Sequence, residues 1–81
     1  MMQNGIVELD LHGKNTYQAR VAIDAVLRHS RGIYRIRLIH GYHAGQTLRE
    51  MIAREYTDHP GVLELRAGEN PGITELVLRR L

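Results

Sequence analysis

Hydrophobic and polar positions recur in six successive patterns along the chain, and these patterns predict its secondary structure. Apolar residues at helical spacing predict two α-helices, one between Asn15 and Gly32 and one that opens at Thr47. Alternating apolar and polar residues predict four strands, at residues 5–11, 33–40, 62–67 and 73–79. The predicted order is therefore β-α-β-α-β-β.

The first predicted helix carries start and stop signals. Asn15 as N-cap with Gln18 three residues later is a variant of the capping box, and Gly32 is the predicted stop. Arg20 and Asp24 are four residues apart, a spacing that predicts an ion pair along the helix. The apolar stripe of this helix comprises Ala19, Ala22, Ile23, Val26 and Leu27.

The second predicted helix has its own capping signal, because Thr47 followed by Glu50 forms a T-x-x-E capping box. Tyr17 of the first helix and Tyr56 of the second stand at helical spacing with apolar residues, so both are predicted to lie in the core or at its edge. The inner face of the second helix comprises Leu48, Met51 and Ile52.

These elements predict an α/β two-layer sandwich, a mixed four-stranded sheet with two helices on one face. A right-handed crossover makes the first two strands parallel if they share a sheet. Residues 68–72 (GENPG) are rich in turn formers and join the last two strands either as a hairpin or in another order. At 81 residues the chain predicts one domain, residues 1–81.

Composition excludes several classes of site. Without cysteine there is no disulfide, zinc–thiolate site, iron–sulfur cluster or cysteine nucleophile. No apolar run is long enough for a transmembrane helix, and the N-terminus does not resemble a signal peptide, so a cytoplasmic protein with no membrane partner is predicted. The oligomeric state stays open.

The basic residues are nearly all arginine. The net charge is only +2, but ten arginines stand beside a single lysine, Lys14. Arginine presents a planar fork that matches phosphate oxygens. The charge pattern fits either a solvated surface of mixed charge or a local arginine-rich face for nucleic acid.

Candidate chemistry lies where the first two predicted strands end, since ligands of open parallel sheets gather at the carboxyl ends of the strands. His12 ends the first strand and His40 the second, and each precedes a glycine. Asp10 is two residues from His12 on an extended segment, so the carboxylate can orient the ring. The alternative is that each histidine is a partly buried ring that satisfies a backbone carbonyl.

The loop at residues 40–47 joins a strand to a helix but lacks the glycine and lysine of a Walker phosphate-binding loop. Free amides at the helix start, beside Gly41 and Gly45, still favour phosphate, and Arg49 in the first turn can assist. Two residues at the loop tip either stack on an unpaired base or are simply exposed: Tyr42 and His43.

Metal binding is a separate hypothesis. Asp10, His12, His40 and His43 offer oxygen and nitrogen ligands, but no HExxH motif or EF-hand loop is present, so a closed zinc site is not predicted. Mg²⁺ or Mn²⁺ held loosely between Asp10, His12 and a phosphate substrate stays open.

Three segments resemble a known family. Residues 9–13 (LDLHG) resemble the first motif of the Smr (small MutS-related) domain, residues 39–41 (IHG) with Leu48 and Arg49 resemble its HGxG…LR motif, and Gly68 and Gly72 resemble its third loop. The resemblance implies a fold like the C-terminal domain of bacterial translation initiation factor three, with strand order 1-2-4-3. It also implies nucleic-acid binding, endonuclease activity on DNA or RNA in several members, and action on stalled ribosomes in some.

The resemblance implies catalytic residues Asp10, His12 and His40. The loop departs from the family pattern HGxGxGxLR: His43 replaces the second glycine and one residue is added. Either Gly45 takes over the role of that glycine or phosphate is bound more weakly. The candidate nucleic-acid-binding residues are Gly13, Lys14, Gly41, Tyr42, His43, Gly45 and Arg49.

Three functions follow as hypotheses. In an endonuclease, His12 would be the general base or would bind an activating metal ion. His40 would protonate the leaving group or hold the phosphate, and Arg49 would stabilise charge on phosphorus. A non-catalytic module would bind nucleic acid or the ribosome. An adaptor or homodimer built on the exposed sheet face is the third. Phosphate contacts of the binding module would come from Arg35 and Arg37 or from Arg79 and Arg80. Alternatively, Arg35 and Arg37 are hidden beneath a helix or face solvent on the uncovered side of the sheet.

Overall fold

Two helices cover one face of a mixed β-sheet in the structure, a computed structural model that describes residues 2–3, 5–42 and 46–80. The predicted α/β two-layer sandwich and its element order are confirmed, with one short strand added at the N-terminus. The strands are β1 (Met2–Gln3), β2 (Ile6–Asp10), β3 (Arg35–Ile39), β4 (Glu64–Ala67) and β5 (Ile73–Val77), and the helices are α1 (Thr16–Arg28) and α2 (Gln46–Tyr56).

The strands lie in the order β1-β2-β3-β5-β4. β2 and β3 are parallel, whereas β5 runs antiparallel between β3 and β4. The four predicted strands therefore have the order 1-2-4-3 that the resemblance implied. β4 and β5 also form the hairpin that was one of the two predicted arrangements, with its turn at residues 68–72.

β1 pairs antiparallel with the start of β2 and forms one edge of the sheet. The hydrophobic pattern missed this strand because two residues are too short to show a period of two.

The core fills the space between the sheet and both helices. It is aliphatic except for Met51 and Tyr56, as expected for a chain without Trp or Phe. Tyr17 is 68% exposed, so its predicted burial is wrong. Tyr17 lies on α1 two residues before buried Ala19, which places it off the apolar stripe. The buried core comprises Leu11, Ala19, Ile23, Ile33, Ile36, Leu38, Leu48, Met51, Ile52, Tyr56, Val62 and Leu76.

The start of α1 is confirmed and its predicted stop is wrong. The Asn15 side chain accepts the Gln18 amide N–H at 2.8 Å, and the Gln18 side chain accepts the Asn15 N–H at 3.0 Å, which completes the capping box. The helix ends at Arg28 with His29 as C-cap. Gly32, at φ +82°, instead belongs to the turn that leads into β3.

α2 begins one residue earlier than predicted, at Gln46. Thr47 is therefore already helical, and the predicted capping box with Glu50 does not form. The Glu50 carboxylate instead accepts a hydrogen bond from the Gln46 side chain at 3.1 Å. Within the described part of the chain, no helix has the length and apolar content that a membrane span requires.

Polar contacts join the two helices side by side. Arg20 donates two hydrogen bonds to Glu55, at 2.6 and 2.8 Å, and the Tyr56 hydroxyl donates to Asp24 at 2.6 Å. Arg20 and Asp24 were predicted to pair with each other, and this is wrong because each has a partner on α2. A bidentate arginine–carboxylate pair fixes geometry more tightly than a single ion pair along a helix.

Replacing Asn15 by Ala should lower the free energy of unfolding by about 1 kcal/mol, since the Gln18 N–H loses its acceptor at the helix start. Urea unfolding followed by circular dichroism measures the change. Val21→Ala, at an exposed position of the same helix, is the control and should stay within about 0.5 kcal/mol of the wild type. Equal stabilities for Asn15→Ala and the wild type would contradict the capping role.

Candidate functional site at the ends of β2 and β3

The parallel pairing of β2 with β3 brings two sequence motifs side by side. Asp10 lies opposite Ile39, and beyond the strands the Leu11 N–H donates to the Ile39 carbonyl at 2.8 Å. A β-carbon placed on Gly41 would lie 4.0 Å from the β-carbon of His12. The first motif therefore touches the second at the carboxyl edge of the sheet.

Asp10 and His12 form a hydrogen-bonded pair at this edge. The Asp10 Oδ1 atom lies 2.5 Å from the His12 ring Nδ1 and also accepts the His12 backbone N–H at 3.1 Å. Both side chains are open to solvent, with 57% of Asp10 and 72% of His12 exposed. A ligand can therefore reach an imidazole whose orientation is already set by a carboxylate.

The hydrogen bonds from His12 also keep Asp10 ionised. The ring hydrogen bond is the largest cause that lowers the pKa of Asp10, the backbone hydrogen bond from His12 is the next, and the charge of Lys14 adds a small contribution. Since a carboxylate oxygen only accepts, Nδ1 of His12 carries the proton in this contact. In the neutral ring, Nε2 then keeps its lone pair, the form that a general base requires.

His40 differs from His12 because its ring is buried, with 2% of the residue exposed. Nδ1 donates to the Gly41 carbonyl oxygen at 3.2 Å, and Nε2 accepts from the Thr74 hydroxyl at 2.9 Å. Burial is the largest cause that lowers the pKa of His40, and the charge of Arg49 lowers it further. His40 is therefore a neutral ring with both nitrogens engaged.

Gly72, in the turn between β4 and β5, contacts the backbone of the second motif from the side of β5. Its carbonyl oxygen accepts the N–H groups of both His40 and Gly41, at 2.9 and 3.0 Å. The backbones approach so closely that a β-carbon on Gly72 would lie 3.3 Å from the Gly41 carbonyl carbon. The Gly41 amide, expected to be free for phosphate, is thus already used within the fold.

The remaining candidates for nucleic-acid binding lie around this edge of the sheet. Gly13, Lys14, Tyr42 and Arg49 are exposed. Arg49 is close enough to His40 for its charge to affect the ring. Two further candidates, His43 and Gly45, lie outside the described residues.

Metal ligands do not gather in the described part of the chain. Between residues 5 and 42 and between 46 and 80, no three His, Asp or Glu side chains come together as a metal site. Asp10 and His12 are in contact, and Asp10 Oδ1 already accepts two hydrogen bonds.

Comparison with known proteins identifies the family. The sequence model of the Smr domain matches residues 9–73, which include both motifs at this edge. The chain belongs to the Smr domain family. Among solved structures, it is similar to the crystal structure of the Smr domain of Thermus thermophilus MutS2, with a TM-score of 0.78 and 28% identity over 91% of this chain and 99% of that one. No curated protein matches.

Thr74 contacts the candidate site and was missed by the sequence analysis. It is buried on β5 and its hydroxyl supplies the partner of His40 Nε2. A signal was present in the sequence, because Thr74 stands on the same face as Leu76, where an apolar residue is expected. A polar residue at an inward position usually has a buried partner.

Because the folded Smr domain lowers the pKa of His40 below 6.5, the ordinary histidine value, the unfolded chain takes up this proton first as the pH falls. The His40 contribution to stability should therefore be complete above pH 6.5 and should decrease as the pH falls through the lower folded pKa. NMR titration of the ring, assigned with His40→Gln, should give a pKa below 6.5. A value at or above 6.5 would contradict the burial argument.

Proposed function

We propose that this Smr domain is a small endonuclease that binds DNA or RNA and cleaves its phosphodiester backbone. The observation that carries the proposal is the exposed Asp10–His12 pair, in which a carboxylate orients an accessible imidazole at the edge where His40 and Gly41 also lie. An oriented, solvent-accessible imidazole is suited to general-base catalysis near neutral pH.

In the proposed reaction, His12 Nε2 removes a proton from the attacking oxygen. The nucleophile is a water molecule or, on RNA, the 2′-hydroxyl. The new oxygen–phosphorus bond forms as the bond to the leaving oxygen breaks, and the leaving oxygen takes a proton from water or from the protonated His12 ring. Asp10 stabilises the imidazolium that forms in between, as its hydrogen bond to Nδ1 supports.

Arg49 supplies positive charge to the same edge. It is exposed at the start of α2 and, among the described residues, contacts no carboxylate. Its guanidinium is therefore available to a phosphate, whose negative charge increases in the transition state. Lys14 and Tyr42, both exposed near the edge, are proposed to hold the flanking backbone and an unpaired base.

His40 fits a positioning role better than that of an acid. Its ring is buried and both nitrogens are engaged, so it holds the Gly41 carbonyl and the Thr74 hydroxyl in fixed positions. Mg²⁺ or Mn²⁺ would find at most Asp10 and His12 as ligands among the described side chains and would need phosphate oxygens for the rest.

The buried state of His40 also supports a second candidate, a module that binds nucleic acid, including that of the ribosome, without cleaving it. Because His40 is engaged, His12 is the one accessible histidine at this edge among the described residues. In this alternative the exposed arginines bind phosphates and the rate of cleavage is zero. Salt-sensitive binding without cleavage in any metal condition would favour it.

A cleavage assay tests the endonuclease. His12→Ala should lower the rate by about 10²–10⁴-fold on the cleaved substrate, since that is the usual contribution of a general base. End-labelled single-stranded RNA, hairpin RNA and plasmid DNA are incubated in EDTA, in Mg²⁺ and in Mn²⁺. Cleavage that persists in EDTA would identify acid–base chemistry without a metal ion.

The matched control is His29→Ala, which removes an exposed histidine at the end of α1 and should cleave at the wild-type rate. Asp10→Asn, which keeps an acceptor oxygen but loses its charge, should fall between wild type and His12→Ala. A correctly folded His12→Ala variant that cleaves as fast as wild type would refute the assignment of the base.

A further inference from the structure

Two surface grooves meet at Arg66 on the edge strand β4. The first groove, about 590 Å³, lies between α2 and the β4–β5 hairpin and has Arg49 and Thr74 in its wall. The second, about 360 Å³, lies at the start of β3 and the end of β5. Because Arg66 lines both, the two grooves adjoin at its side chain, and Arg49 of the first lies beside the candidate site.

Arginines line both grooves, with one carboxylate, Glu69, beside them in the first. Arg49 and Arg66 border the first groove, and the second contains Arg66, Arg35, Arg79 and Arg80. Among the described residues, Arg49, Arg66 and Arg79 contact no carboxylate. The other two each have one carboxylate partner: Arg80 lies 3.4 Å from Glu64, and Arg35 lies 3.7 Å from Glu75.

The centre of the exposed sheet face is a much poorer surface for phosphate. Arg37 lies there within 3.3 Å of Glu8, 3.3 Å of Glu69 and 3.5 Å of Glu75. Since Glu75 also neighbours Arg35, this part of the face holds three carboxylates against two arginines, a net charge of −1. A polyanion that leaves the candidate site is therefore repelled from the centre and attracted towards β4.

The first groove also has an apolar floor between its two arginines. Ala53, Leu65, Pro71 and Ile73 contribute to its wall. Apolar surface beside a basic rim suits a single strand, whose unpaired bases have exposed faces, whereas a duplex hides those faces in its stack. The groove therefore favours single-stranded nucleic acid.

We propose that a single strand of nucleic acid runs from the candidate site at Arg49 along β4, past Arg66, to Arg79 and Arg80. We call these four residues the arginine track. This proposal rests on the proposed function for its ligand, nucleic acid. It adds the route of the ligand over the surface and the requirement that the ligand is single-stranded. From Thr74 to Arg79 the chain spans about 17 Å at 3.3 Å per residue, so a ligand that follows the track needs several consecutive nucleotides.

Binding of labelled oligo(U) and oligo(dT) of 4 and 12 nucleotides, and of a 12-base-pair duplex, tests the track. For the double variant Arg66→Gln/Arg79→Gln, affinity for both 12-mers should fall roughly 20-fold at 0.1 M salt. The slope of log K against log salt should become shallower by about 1.4, since each phosphate contact on a single strand contributes about 0.7. The wild type should bind 12-mers much more tightly than 4-mers, and the variant should lose most of that difference.

The control is Arg28→Gln/Arg54→Gln, which removes the same charge from exposed positions on the helices. Its affinity and salt slope should remain close to those of the wild type. An equal loss in the control, no loss in the track variant, or duplex binding as tight as single-strand binding would overturn the proposal. Tighter binding of polyglutamate than of either oligonucleotide would overturn it in favour of an acidic protein partner.

The same samples separate this proposal from the endonuclease. Track-dependent binding without His12-dependent cleavage would support the track and refute the endonuclease. His12-dependent cleavage, together with wild-type affinity in the track variant, would support the endonuclease and refute the track. If the wild type binds none of the oligonucleotides, both proposals fail.

Discussion

The register between β2 and β3 sets the geometry of the candidate site. Their parallel pairing places Asp10 opposite Ile39, so both motifs end at one edge of the sheet. The pleat also places His12 and His40 in different environments. Asp10, the hydrogen-bond partner of His12, lies on the open face of the sheet, whereas His40 continues the inward row of Ile36 and Leu38. A slip of one residue would exchange the faces and bury the carboxylate.

The hairpin of β4 and β5 is equally part of the site, although it is distant in sequence. The Gly72 carbonyl accepts the backbone N–H groups of His40 and Gly41, and the Thr74 hydroxyl donates to the ring of His40. These contacts make the second motif rigid, since its ring and both amides are held from the neighbouring strand. The exposed Asp10–His12 pair is therefore the part of this edge whose polar groups a ligand can reach.

The sequence predicted features that depend on local pattern. The element order, the Asn15 capping box and the inward row of α2 follow from spacing within one element, and each is confirmed. The errors concern features decided by neighbours in space. Arg20 pairs with Glu55 because α2 lies beside α1, and sequence spacing does not show that Thr74, 34 residues away, is the partner of His40. Tyr17 is exposed because its position on α1 lies outside the packed stripe.

Net charge was the poorest predictor of a binding surface, because it adds arginines that stabilise the fold to arginines that are exposed to a ligand. Arg20 and Arg37 are held by carboxylates and fix the packing of helices and strands. Arg49, Arg66 and Arg79 have no such partner among the described residues, and they border adjoining grooves. A net charge of +2 therefore conceals a segregated surface, with an acidic centre on the exposed sheet face and a basic edge along β4. The potential that a polyanion meets depends on this separation, because charges beyond about 8 Å are largely screened at physiological salt.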